Sequence, residues 1–506
     1  MSSVEELRST PAATGRAPYT PDWASLRRHR VPDWFRDAKL GIWSHWGPQC
    51  VARRGDWYAR HLYGPYAGTE DFERERTDRQ TTHHRATYGH PSRFGHKDLC
   101  HQWRAERFDP DALMDRFRRA GARYFVSLAA HCDNFDLWDS GHQPWNSVNV
   151  GPRTDIVARW ATAARAADLH FGISMHAGSW TWRWLDAAYG EDTDGPYDGH
   201  LTAADGRGTW WEGLDPRALY GPPRVPGDVP TAAFVDDFYA RLRDVTERHD
   251  AELVYLDDSR MPFDEGSVCV AEGPSRRRGL EFLADYYNRT PDGAVSIKTI
   301  ADEDRGAVLL DVERHQLSDI DPHPWQYDTS IGDWFHSVGE QYKSAQELVH
   351  LLVDTVSKNG CLLLNVPQLP DGTLDDEVSS VLDSLGAWMR VCGEALYGTR
   401  PWTVHGEGPT NVRGAKARES RLAYTPQDLR FTRTPDEEVV YAFVMSWPDD
   451  RRIRVHSLAG SAPPRDVTLL GSPERPTWTA GPEGLDIRLP DRPPTPYVQV
   501  LRLAWT

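Results

Sequence analysis

No run in this 506-residue chain approaches 18 consecutive apolar residues, the length a membrane-spanning helix needs, which excludes a transmembrane protein. The N-terminus, MSSVEELRSTPAATGRAPYTPDW, lacks an apolar leader core, so no secretory signal is visible and a cytoplasmic location is expected. Six cysteines (50, 100, 132, 269, 361 and 392) are widely spaced and form no C-x-x-C pair. That argues against a disulfide scaffold or a zinc ribbon and for reduced thiols. Basic residues fall short of acidic ones, 58 against 75, leaving a formal net charge of −17. An acidic surface repels phosphate, so nucleic acid and anionic membranes are excluded as partners. H-E-x-x-H, G-x-S-x-G, Walker and G-x-G-x-x-G patterns are absent from any usable context, and no metal or cofactor is expected. The pair His83–His84, in what reads as a polar loop, has no third spaced ligand and reads as solvated.

Tryptophan, by contrast, is plentiful: 21 residues. Such indoles either pack cores or stack on the C–H faces of sugars, and composition does not choose. Lysine is scarce beside arginine, which points to a high-GC bacterial source. After a polar stretch to about residue 30, short apolar runs alternate with helical spacing. Strands are predicted at 39–46, 123–131, 170–177, 251–258, 294–300, 307–313 and 361–366. Helices are predicted at 110–121, 155–168 and 344–360. This alternation implies a parallel sheet, and seven or eight such strands favour an α/β, (β/α)8-like barrel of the TIM type. Two Gly/Pro/Asp-rich stretches, near 62–100 and 184–232, follow strand ends, where barrel loops build active sites. Past YGTRPW (397–402), short strands between turns indicate an antiparallel β-sandwich. The expected division is an arm over 1–30, a catalytic barrel over 31–402 and a sandwich over 403–506.

Polar and aromatic residues gather at the C-terminal ends of the predicted strands: His45 and Trp46, His131 and Asp133, His176, Asp257 and Asp258, and Glu313. Singly, each is more often a hydrogen-bonded structural group than a catalyst. Five strands ending this way point to a site. Two carboxylates from different strands suit glycoside hydrolysis, one attacking the anomeric carbon and the other handling the proton of the leaving oxygen.

These segments resemble the α-L-fucosidases of glycoside hydrolase family 29. WFRDAKLGIWSHWG (34–47), GDWYAR (55–60), GARYFVSLAAHCDNFDLWDS (121–140), LVYLDD (253–258), YKSAQELVHLLVDTVSKNGCLLLNVPQLPDGTL (342–374) with GEALYGTRPW (393–402), and YTPQDLRFT (424–432) are similar to its blocks in order. The resemblance implies Asp257 as nucleophile and Glu313 as acid/base. It implies sugar contacts from His45, His131 and Trp57, with Trp46, Asp56, Cys132, His176, Tyr255, Lys298 and Trp325 as further substrate-binding candidates. Departures fall in the same pocket. Cys132 stands where a second histidine is usual, Asp56 where glutamate is common, Met175–His176 where Tyr-Ser is usual, and Lys298 takes an arginine's place. Trp43, Trp46, Trp57 and Trp138 would either pack under a 6-deoxy methyl or fill the barrel. Trp210 and Trp211 would either line leaving-group subsites or pack their own loop. The reading is an exo-acting retaining α-L-fucosidase whose partner is a terminal L-fucoside or related carbohydrate; homo-oligomerisation stays open. The alternatives are another α-L-glycosidase, acting on an L-galactoside or deoxysugar glycoside, and a sugar-binding barrel without turnover.

Overall fold

Strand runs such as LGIWS, YFVSLAA and GCLLLN are mostly apolar and buried along their whole length because helices cover one face and the barrel interior the other. The computed structural model describes residues 18–65, 71–224, 228–258, 274–410 and 423–505. Eight parallel strands close into a barrel in sequence order. They are β1 (Leu40–Ser44), β2 (Tyr124–Ala130), β3 (His170–Met175), β4 (Leu253–Leu256), β5 (Ala294–Ile297), β6 (Leu309–Glu313), β7 (Trp325–Ser330) and β8 (Gly360–Asn365). The last strand returns to the first, with Leu40 opposite Leu362.

Local chemistry sets the helix ends. In α1 (Pro110–Ala120), the Asp109 carboxylate accepts the Ala112 amide, Pro110 starts the helix and Gly121 ends it at φ 109°. Asp155 caps α2 (Ile156–Ala166) in the same way, and a Ser344/Glu347 capping box opens α3 (Ala345–Ser357). Trp43, Tyr124, Val126, Leu253, Tyr255, Leu309 and Leu363 fill the barrel interior. At Gly41 a Cβ would overlap the Tyr124 ring, so the glycine makes room for that aromatic.

Strand β7 went unpredicted. Its sequence, WQYDTS, alternates polar residues that are nonetheless fully buried, because Gln326 and Asp328 meet other polar groups inside the barrel. The supposed polar loop carrying His83–His84 is instead a helix, Asp71–Thr87. His84 is buried there, with Nδ1 3.2 Å from the Tyr58 hydroxyl and Nε2 2.9 Å from the Phe94 carbonyl, so the solvated-pair reading fails for it.

The arm lies partly outside the described residues, which begin at 18. Within it, His29 stacks on Tyr287 with centroids 3.7 Å apart. Cys269 also lies outside the described residues; the other five cysteines are buried free thiols. Among the described residues no helix is long and apolar enough to cross a membrane.

The C-terminal strands are β9 (Arg400–Glu407), β10 (Leu429–Arg433), β11 (Val439–Val444), β12 (Arg452–Val455), β13 (Asp466–Leu469), β14 (Thr477–Gly481), β15 (Gly484–Arg488) and β16 (Gln499–Ala504). They form a five-stranded sheet, β9-β10-β11-β16-β13, and a three-stranded sheet, β12-β15-β14, sharing one apolar core.

Candidate active site

A parallel strand ends by delivering its next residues to the barrel mouth, and here those residues are ionisable. Asp257 follows β4, Lys298 follows β5, and Glu313 closes β6. The Lys298 ammonium joins them: Nζ lies 3.3 Å from Asp257 Oδ1 and 3.0 Å from Glu313 Oε2. Those two oxygens are therefore separated by no more than the sum of the two contacts, a ceiling that admits the roughly 5–5.5 Å used in retaining glycoside hydrolysis. Both carboxylates reach solvent, with side-chain exposures of 27% and 42%.

Beneath them lies a second pair of acids. Asp311 and Asp328, from β6 and β7, sit 3.0 and 3.3 Å from the same Nζ and are fully buried. The Tyr255 hydroxyl is 3.0 Å from Asp311 Oδ2 and 2.9 Å from Asp328 Oδ2. Burial, then the charge of Asp311, pushes the Asp328 carboxyl well above its usual range. Burial also raises Asp311, although Lys298 opposes it. Both shifts favour the uncharged acid, which limits the negative charge under the site. Burial would raise Asp257 as well. Lys298 and then His176 outweigh that and hold it well below the ordinary carboxylate range.

Three imidazoles form the other wall. His45 follows β1, its backbone amide donating to Asn365 Oδ1 at 2.9 Å. His131 follows β2, with Nδ1 2.7 Å from Gln49 Nε2 and Nε2 3.8 Å from Asp56 Oδ1. His176 follows β3 and places Nδ1 2.7 Å from Asp257 Oδ2. Burial and the neighbouring rings hold His45 and His131 well below the usual imidazole range, so both are neutral near pH 7. Asp56 is pushed well above its range by burial and by Asp333. Trp43 lies below, donating from Nε1 to Ser174 Oγ at 3.0 Å, while Trp334 stacks on His45 with centroids 5.6 Å apart.

A barrel mouth with two solvent-reaching carboxylates on separate strands suits glycoside hydrolysis. Comparison with known proteins agrees. The family profile described as alpha-L-fucosidase matches residues 7–394. The chain belongs to the α-L-fucosidase family. It is thus a glycoside hydrolase, and a second profile, the alpha-L-fucosidase C-terminal domain, matches residues 424–506. Tissue alpha-L-fucosidase of Rattus norvegicus is 26% identical, covering 99% of this chain and 95% of that one. The Homo sapiens tissue enzyme is 27% identical, covering 96% and 91%. A crystal structure of Thermotoga maritima alpha-fucosidase in complex with fucose superposes with a TM-score of 0.71 at 26% identity, covering 96% of this chain and all of that one.

Within this family member the expected site residues separate into three groups. His45, His131, His176, Asp257, Lys298 and Glu313 converge as described. Asp56 and Trp57 join through the loop after β1; Trp57, at φ 66°, packs its ring 3.6 Å from that of Trp184. Cys132 is buried and lines a narrow crevice with Gln49, Trp57 and Trp184. Tyr255 is corrected from a substrate contact to a buried support, because its hydroxyl lies among the acids under the mouth. Trp46 is corrected too: it turns outward, donates to the Leu369 carbonyl at 2.9 Å and packs on Trp103 and Phe108. Trp325 opens β7 at the far end of the barrel, where its indole donates to the Lys358 carbonyl at 2.9 Å. A residue at a strand's N-terminal end does not reach the mouth.

Trp138 is a core residue bound to Asp244, while Trp210 stacks on His101 and Trp211 packs over Gly206. Asp258 does not compete with Asp257. It turns away and accepts the Ser179 amide and hydroxyl at 2.5 and 2.8 Å, fixing the start of the short helix Ser179–Trp184. Sequence reasoning missed Asp311, Asp328, Gln49, Trp334 and Phe335, whose ring meets those of His45 and His131 edge to face. An aspartate inside an apolar strand run, as in LLDVE, was the readable signal, since such a group needs a buried partner.

Proposed function

We propose that the chain removes terminal α-L-fucose in a two-step displacement with retention, Asp257 acting as nucleophile and Glu313 as acid/base. The observation that carries this is the single Lys298 ammonium held between the two carboxylates. In the first step an Asp257 oxygen bonds to the anomeric carbon. The bond to the leaving oxygen breaks, and that oxygen takes the Glu313 proton. In the second, Glu313 accepts a proton from water, whose oxygen bonds to the anomeric carbon and releases Asp257. Lys298 serves both steps, since its charge faces Asp257 before attack and the Glu313 carboxylate once the proton has gone. The neutral rings of His45 and His131 hydrogen-bond sugar hydroxyls, with Gln49 and Asp56 setting the His131 ring. Trp57 supplies an apolar wall, and Cys132 and His176 modify the pocket. The fucose complex of the Thermotoga maritima relative supports the choice of sugar. The arginine-rich, lysine-poor composition supports a bacterial source, and the widely spaced cysteines support a cytoplasmic setting.

Turnover of nitrophenyl α-L-fucoside tests the assignment. Asp257→Asn is expected to lower kcat by at least about 10³-fold with the fold intact, because the covalent route is lost. If Asp258→Asn proves the silencing change while Asp257→Asn stays active, the nucleophile is misassigned. A second reading, another α-L-glycoside as preferred substrate, is favoured by His176 lying against Asp257. A panel of L-galactosides and deoxysugar glycosides decides between them.

A further inference from the structure

The three imidazoles described above do more than line a sugar pocket. One ring nitrogen from each of His45, His131 and His176 lies within 4.8 Å of the other two. All three side chains are buried, at 4% exposure or less. Neither ring nitrogen of His45 has a hydrogen-bond partner among the described residues, and His176 makes no well-aligned bond although its Nδ1 approaches Asp257. Buried imidazole nitrogens without hydrogen-bond partners, as in His45 and His176, are an unfavourable arrangement unless something is received beside them. Three histidines and an adjacent carboxylate form the donor set that suits zinc and its neighbours in the transition series.

We propose that His45, His131 and His176, with Asp257 as fourth ligand, form an inhibitory transition-metal site that takes Zn²⁺ in competition with the sugar. The competition rests on the sugar-pocket reading above; the metal site itself does not. Zinc–nitrogen bonds of about 2.0–2.1 Å in a tetrahedral site require the ring nitrogens to draw together by up to roughly 1.5 Å, shared among three side chains. Metal binding would occupy the nucleophile, so inhibition is the consequence rather than a new reaction. A second cluster, His90, Asp192 and Asp194, lacks this character. It lies at the surface, and Asp192 is already tied to Arg85 at 2.6 Å and to His90 at 2.9 Å.

Calorimetric titration with Zn²⁺ tests the site without relying on activity. Wild type is expected to bind one ion per chain at micromolar or lower concentration. His176→Gln, and separately His45→Gln, should weaken binding at least tenfold, each variant being checked for an unaltered far-ultraviolet spectrum. His90→Gln should leave binding unchanged, and saturating L-fucose should suppress it. Absence of binding to wild type, or affinity that survives both His176→Gln and His45→Gln, overturns the proposal. Loss of binding in His90→Gln would move the ion to the surface cluster and overturn it equally. If the histidine variants weaken Zn²⁺ but L-fucose does not compete, the metal site stands and the sugar-pocket assignment falls.

Discussion

Lys298 carries one positive charge among four carboxylates, and which of them hold protons determines what that charge does. Had all four been ionised, a cluster of net charge −3 would place two of its carboxylates, Asp311 and Asp328, in a low-dielectric interior, which proteins avoid by protonating some members. Burial shifts Asp311 and Asp328 towards the protonated form, while Lys298 shifts Asp257 towards the ionised one. The lysine was legible as an arginine substitute from its place after β5. Its setting was not, because Asp328 lay in a strand that the sequence hid and Asp311 read as an ordinary strand residue. The dependence can be measured. Asp257 is depressed chiefly by Lys298 against the opposing effect of burial, so it stays ionised down to unusually acid pH. Replacing Lys298 with methionine removes that charge and lets the Asp257 pKa rise, so protonation silences the nucleophile sooner as pH falls. The acidic limb of the kcat/KM profile should move upward by about one pH unit or more, since each unit corresponds to about 1.4 kcal/mol of lost ion pairing. An acidic limb that stays in place would show that Lys298 does not set the ionisation of Asp257.

At the scale of elements, seven barrel strands and three helices could be read from apolar runs, caps and stop signals, with ends within a few residues of those observed. β7 escaped because period and polarity report burial only when the buried face is apolar. Gln326 and Asp328 invert that rule, being inside yet polar, with partners supplied by other strands. The same strand explains the misplacement of Trp325: without a strand there was no way to tell its beginning from its mouth end. Since Trp325 is fully buried at the far end and donates to the Lys358 carbonyl, its role is packing. Trp325→Phe should lower unfolding free energy by about 1–3 kcal/mol, through the lost hydrogen bond and the residual cavity. Its KM for the fucoside should stay within about twofold of wild type, as expected where no transition-state contact is lost. A selective rise in KM at unchanged thermal stability would return Trp325 to the substrate site.

On the scale of the whole molecule, the sandwich is joined to the barrel by a buried charge cluster as well as by apolar packing. Asp354, in α3, accepts from Arg430 Nε of β10 at 2.6 Å and from Lys358 Nζ at 2.6 Å, and all three side chains are buried. The change of texture near residue 400 made the second domain legible, but nothing local in sequence announces a contact between residues so far apart. Burial would raise Asp354, yet Lys358 and Arg430 outweigh it and hold the carboxyl below its usual value. A depressed folded-state pKa means that Asp354 contributes stability fully above its unfolded pKa of about 4 and loses it as pH falls through the lower folded value. Asp354→Ala strands two buried cations and should cost about 3–5 kcal/mol at pH 7. In thermal melts the gap between wild type and variant should be full at neutral pH and narrow below about pH 4. Calorimetry adds a second readout. If the cluster couples the two domains, the variant's sandwich should melt separately and earlier, splitting one endotherm into two. A variant that melts as wild type does at neutral pH would assign the coupling to the apolar contacts and leave Asp354 no part in it.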